Sequence, residues 1–169
     1  MRERFGRYKL LMGDLINFPT NEFYYHIYVI AHYKYGPIKI GYSNNPPQRL
    51  KQLQTGSSQN LALCGSLGLK NEELAKLIEK IILSYLNKNN LLARGEWYNL
   101  SAKSALKILE FFPLTLKDLS KPLLKDNEED LIHYGLKNNL INNDDYDNLR
   151  EIFDQHDDEN YIFYNFLKE

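Results

Sequence analysis

Four side chains in the N-terminal half of the chain are of the types needed to hold a cation, grip an anion and move a proton: Tyr28, Lys39, Arg49 and Glu79. Glu79 has the apolar helix neighbours Ala75, Ile82 and Leu83, which sets its carboxylate at the rim of a buried face and not on an open one. The guanidinium of Arg49 is a planar fork of donors that can hold two oxygens of one anion. Tyr28 is a strand tyrosine able to orient or deprotonate a water. Lys39 can favour the phenolate by its charge, or accept the proton itself if it is desolvated. Together the set could hold a cation beside an anion and deprotonate a water.

Those residues need elements to position them. Tyr24 to His32 is rich in β-branched and aromatic residues and predicts a strand, followed by a turn at Tyr33–Pro37 and a second strand at Ile38–Ser43. Alternation puts Ile27, Val29 and Ala31 on one face and His26, Tyr28, Ile30 and His32 on the other. Ile38 and Ile40 should share the apolar face, which leaves Lys39 with Tyr28. Asn44-Asn45-Pro46-Pro47 opens a short helix, with Asn as cap and proline in the first turn, that carries Arg49, Leu50 and Leu53 and ends near Thr55-Gly56. Leu61–Leu67 predicts a third strand. Asn71 caps a long helix from Glu72 to about Asn87, with Leu74, Leu77, Ile78, Ile81, Ile82 and Tyr85 at helical spacing. After an interruption at Ala93–Tyr98, a further helix starts at Ser101 and should stop at Pro113.

In chain order, Ile27-Tyr28-Val29, then Lys39-Ile40-Gly41-Tyr42-Ser43, then Arg49, then the helical Glu79, resemble the GIY-YIG nuclease superfamily. The stretch KIGYSNNPPQRLKQLQTGS and the later GEWY (Gly95–Tyr98) are closest to a branch found in phages, bacteria and some fungi. The resemblance covers about residues 24–100. It implies an α/β fold with a small three-stranded antiparallel sheet flanked by helices, and metal-dependent cleavage of DNA by an endonuclease using Mg²⁺ (or Mn²⁺). By this resemblance Glu79 is the metal carboxylate, Arg49 the phosphate clamp, and Tyr28 and Lys39 the proton-handling pair, with Tyr42, Arg49 and Lys51 on the nucleic acid. One magnesium carboxylate suffices, because Mg²⁺ keeps much of its hydration shell.

Two departures stand out: Lys39 occupies the place of the parent motif's second tyrosine, and Ile82-Leu83 stands where the branch carries a histidine one turn after the glutamate. His26, His32 and Glu96 are the further candidates for proton transfer or site contacts. Both departures favour an alternative reading, a catalytically weak or inactive nucleic-acid-binding module of the same fold.

Composition sets the frame. The chain has 169 residues and a net charge of −1, but residues 1–125 hold 18 Lys+Arg against 9 Asp+Glu while residues 126–169 hold 3 against 13. A basic body with an acidic end suggests a nucleic-acid surface plus a separate charged segment, which could bind a protein partner or shield the site. The chain then divides into an N-terminal extension (1–23), a nuclease-like domain (24–112) and an acidic helical extension (113–169). Three amphipathic helices are expected at the end, over Asn127–Leu140, Asn143–Gln155 and Asp157–Leu167, anchored by Leu131, Leu149, Ile152, Phe153, Ile162, Phe163 and Phe166. One cysteine, Cys64, excludes an internal disulfide and a multi-cysteine zinc site, and an intracellular location is the expectation. No membrane-length apolar run, P-loop, calcium loop or serine nucleophile elbow occurs, and no helix-turn-helix or zinc finger supplies sequence specificity.

Overall fold

A computed structural model of the protein describes residues 24–32, 36–117, 131–154 and 161–167. The expected N-terminal extension, part of the turn at Tyr33–Pro37, and residues 118–130 lie outside them. The first two strands, β1 (Tyr25–Ala31) and β2 (Ile38–Ser43), pair antiparallel with Tyr28 opposite Gly41 and Ile30 opposite Lys39. The third, β3 (Ala62–Leu69), lies on the other side of β1.

Both faces of this sheet are buried. Ile27, Val29, Ala31, Ile38 and Ile40 face the main core. Above it lie the helices α2 (Glu72–Lys88) and α3 (Ala102–Lys117), through Ile78, Ile81, Ile82, Ala105, Leu106 and Leu109. The opposite face, which carries Tyr28 and Lys39, holds a second core of Tyr28, Ile30, Leu50, Leu61 and Leu63. Helix α1 (Pro46–Thr55) closes that face with Leu50, which is fully buried and contributes about 1.5–3 kcal/mol by its removal from water.

The three expected strands are the middle of a six-stranded sheet, ordered β4-β5-β2-β1-β3-β6. The segment expected only to interrupt the helices forms two short strands, β4 (Leu92–Arg94) and β5 (Trp97–Tyr98). Strand β5 covers just Ile38 and Lys39 of β2. At the far edge, β6 (Tyr161–Asn165) pairs with Gly65–Leu69 of β3. This corrects the expected final helix. Tyr161-Ile162-Phe163-Tyr164 is a strand-forming composition, and the outer edge of β3 offers it a full ladder of backbone bonds. Gly68 permits the approach, since a Cβ there would fall 2.8 Å from Ile162 Cγ2 and equally close to the His26 ring.

Helix α3 also runs past Pro113 to Lys117, where a stop was expected. The proline costs one backbone bond, while the buried turns upstream hold the helix on the sheet. The other two C-terminal helices are present as α4 (Leu131–Lys137) and α5 (Asn143–Asp154), packed on α2 and α3 respectively. Leu131, Tyr134, Ile141 and Leu149 enter the main core, and the Tyr134 hydroxyl lies 2.8 Å from Ser84 Oγ. The acidic end therefore completes the fold in its described elements. No helix among the described residues is long and apolar enough to cross a membrane.

Candidate active site

The site forms where β2 leaves part of its edge unpaired. Beyond Ile38 and Lys39, the strand runs free of β5, and α2 lies beside the exposed stretch. Glu79 reaches this edge from α2, and its carboxylate accepts the backbone N–H of Tyr42. The helix is placed by its cap, with Asn71 Oδ1 accepting from Leu74 N at 3.1 Å. The apolar stripe from Leu74 to Tyr85 buries one side of α2 and leaves Glu79 at its rim, half-buried, as its neighbours implied.

Tyr28 lies on the opposite face, 2% exposed. Its ring crosses Gly41, where a Cβ would fall 2.7 Å from Tyr28 Cζ and closer still to the hydroxyl. Gly41 therefore makes room for the phenol to reach the edge, a role the motif alone did not disclose. Arg49 Nε donates to the Tyr28 hydroxyl at 3.4 Å, and Nη1 donates to Gln52 Oε1 at 3.1 Å. Its helix starts from Asn45, whose side chain accepts from Gln48 N, with Pro46 and Pro47 in the first turn.

Lys39 shares the Tyr28 face and is 5% exposed. Its ammonium is paired with the carboxylate of Glu96, which hangs from the β4–β5 turn and is largely exposed. This pairing across 57 positions of sequence is one that local patterns cannot reveal. Tyr28, Lys39, Gly41, Tyr42, Arg49, Glu79 and Glu96 line one cleft of about 270 Å³, completed by Ile40, Leu83 and Tyr98.

Other candidates lie elsewhere. His26 is buried beside Ser66, 3.1 Å from its Oγ, and burial lowers its pKa to about 4. His32 stacks on Trp97 with ring centroids 4.5 Å apart. Neither histidine lines the cleft, and Lys51 is exposed on α1 outside it. Leu83, one turn after Glu79, does line it and offers no proton.

Electrostatically the cleft holds two cations, two carboxylates and three phenols. Burial raises the Glu79 carboxyl above its ordinary value, opposed by the Tyr42 N–H and the Lys39 charge and reinforced by Glu96. Burial likewise raises the Tyr28 hydroxyl, with Arg49 pulling it down and Glu79 and Glu96 pushing it up. The Lys39 hydrogen bond and charge lower Glu96. Among the described residues Glu79 forms no ion pair, and no group of three or more His, Cys, Asp or Glu is gathered as a metal cage. Glu79, half-buried, and Glu96, paired with Lys39, are the carboxylates of this cleft that could hold a divalent ion with its waters.

Fold and cleft define a mixed α/β domain with a polar site on a sheet edge. The T5orf172 domain family matches residues 25–113, more than half of the chain, and the chain belongs to that family. The T5orf172 domain is a nuclease-associated domain. No curated protein and no solved structure matches the chain.

Proposed function

We propose that the protein is a GIY-YIG-type endonuclease that hydrolyses phosphodiester bonds in DNA with Mg²⁺ (or Mn²⁺). The observation that carries this reading is the convergence of Tyr28, Lys39, Arg49 and Glu79 on one cleft from two strands and two helices spread along the sequence. Membership of a nuclease-associated family supports it independently.

Each side chain then has a task. Glu79 is the carboxylate that would hold the metal, and Glu96 lies across the same cleft. The bound ion would polarise the phosphate and favour ionisation of a coordinated water. Arg49 takes the non-bridging oxygens of the scissile phosphate in its planar fork, where charge grows in the transition state. The Tyr28 oxygen already accepts an N–H from Arg49, which leaves its own proton and its second lone pair to orient the attacking water. Burial keeps the phenol protonated in the free protein, so Tyr28 acts first as a positioning group. Lys39, held by Glu96, contributes positive charge at the floor of the cleft.

The test is plasmid nicking with and without Mg²⁺, for the wild-type chain and Glu79→Gln. The alternative, a catalytically weak or inactive DNA-binding module, is favoured by Leu83 in the place of a proton donor. It would bind DNA with a steep salt dependence and leave the plasmid intact.

A further inference from the structure

A second cavity, of about 300 Å³, adjoins the cleft and is lined by Tyr25, Tyr42, Ser43, Asn44 and Glu72. Tyr42 lines both spaces and is the wall between them. Ile27 lies opposite Tyr42 in the β1–β2 register, so Tyr25, two residues earlier, projects on the same face as a diagonal neighbour of Tyr42. Two half-buried aromatic residues thus flank one opening, each packed against the main core.

Helix α2 aligns this cavity with the catalytic carboxylate. Glu72 and Glu79 are two turns apart on one stripe of the helix, about 10 Å by the helix rise. Lys76 lies between them, 3.3 Å from Glu72 Oε1 and 5.7 Å from the centre of the Tyr42 ring. The Tyr42 hydroxyl donates to the same Glu72 oxygen at 3.3 Å.

We infer that the Tyr25–Tyr42–Glu72 cavity receives an unstacked nucleobase next to the scissile phosphate, so that the preferred substrate carries an unpaired nucleotide there. Aromatic rings supply a stacking platform that every base can use. Glu72 Oε1 is held by Lys76 and the Tyr42 hydroxyl, and the carboxylate can also accept from the amino edge of a base, so the cavity suits a base. Lys76, between Glu72 and Glu79 on the helix, is ion-paired with Glu72 and Glu73 and would exchange those partners for the phosphate that links the two positions. A paired duplex cannot fill the cavity without extruding a nucleotide, which costs unpairing and unstacking energy.

The inference rests on the nucleic-acid reading above, and its test reads binding so that it does not depend on cleavage. The full-length chain carrying Glu79→Gln is titrated against a short single strand containing 2-aminopurine and against the same strand in a blunt duplex. The expected result is quenched 2-aminopurine emission and tighter binding of the single strand. Tyr25→Leu, which keeps the apolar contact with the core, should weaken single-strand binding about tenfold and leave duplex binding unchanged. Tyr25→Trp should retain or strengthen it, which guards against a Leu variant that fails to fold. Unquenched emission in the parent chain, or equal effects of Tyr25→Leu on both DNA forms, would overturn the inference. Loss of metal-dependent nicking by the wild-type chain, with quenching preserved, would instead remove the nuclease reading and leave the base cavity standing.

Discussion

Glu79 is held at a cost. Burial raises its pKa, so the folded state binds a proton more readily than the unfolded state, and the ionised carboxylate destabilises the metal-free protein. The sign fixes a prediction. This penalty is fully present above the raised folded value, shrinks as pH falls through it, and vanishes below the ordinary carboxylate range. Glu79→Gln should therefore raise the Tm of the metal-free protein at pH 7 and leave it unchanged at acid pH, while abolishing metal-dependent cleavage. Thermal melts at both pH values check it; a Tm that falls at pH 7 would show Glu79 to be a stabilising surface charge. Arg49→Lys keeps the charge but not the fork, and loss of one charge-assisted transition-state contact costs ~3 kcal/mol, about a hundredfold in rate. Single-turnover rates on a nicked-plasmid assay would measure this, and a change under about threefold would make Arg49 an ordinary helix side chain.

At the scale of elements, the site depends on two close fits. Gly41 lies under the Tyr28 ring, and the unpaired half of β2 gives the Tyr42 N–H to Glu79. Gly41→Ala should push the phenol aside, overpack the second core by about 1–3 kcal/mol, and reduce cleavage on the order of a hundredfold through misplacement. A variant that is destabilised yet cleaves at the wild-type rate would separate Tyr28 from catalysis. The strands, α1 and α2 were legible because each carries its own local signal: alternation in β1, the Asn-Pro-Pro cap before α1, the apolar stripe of α2. The four candidate residues were picked out for the same reason, as each sits in a short ordered motif, and one cleft is lined by all four. What escaped the sequence depends on distant partners. The Glu96 tie to Lys39 joins residues 57 apart, and Gly41's role exists only once Tyr28 lies across it. Strand β6 was mistaken for a helix because helix-like spacing of large apolar residues persists in Tyr161–Leu167, and only the open edge of β3 decides between the two.

At the scale of the whole molecule, the described C-terminal elements α4, α5 and β6 are packed into the fold. Strand β6 sits three strands from β2, roughly 14 Å across the sheet at ordinary strand spacing, and no described residue after Tyr98 lines the candidate cleft. A chain ending at Lys125 would lose buried Leu131, Tyr134, Ile141 and Leu149 together with β6. Loss of even one large core side chain typically costs about 2–5 kcal/mol against a net stability of roughly 5–15 kcal/mol. That truncated chain should show no cooperative unfolding transition in urea; a cooperative melt with near-native stability would make residues 126–169 a dispensable appendage. The central claim, that the sheet-edge cleft is a metal-dependent phosphodiesterase site, is tested most directly by supercoiled-plasmid nicking with the full-length chain, titrated with Mg²⁺ beside Glu79→Gln. Nicking that rises with Mg²⁺, stops on chelation and is absent from the Glu79→Gln protein is the predicted result. Equal nicking by both proteins, or none by the folded wild-type chain in either Mg²⁺ or Mn²⁺, would contradict it.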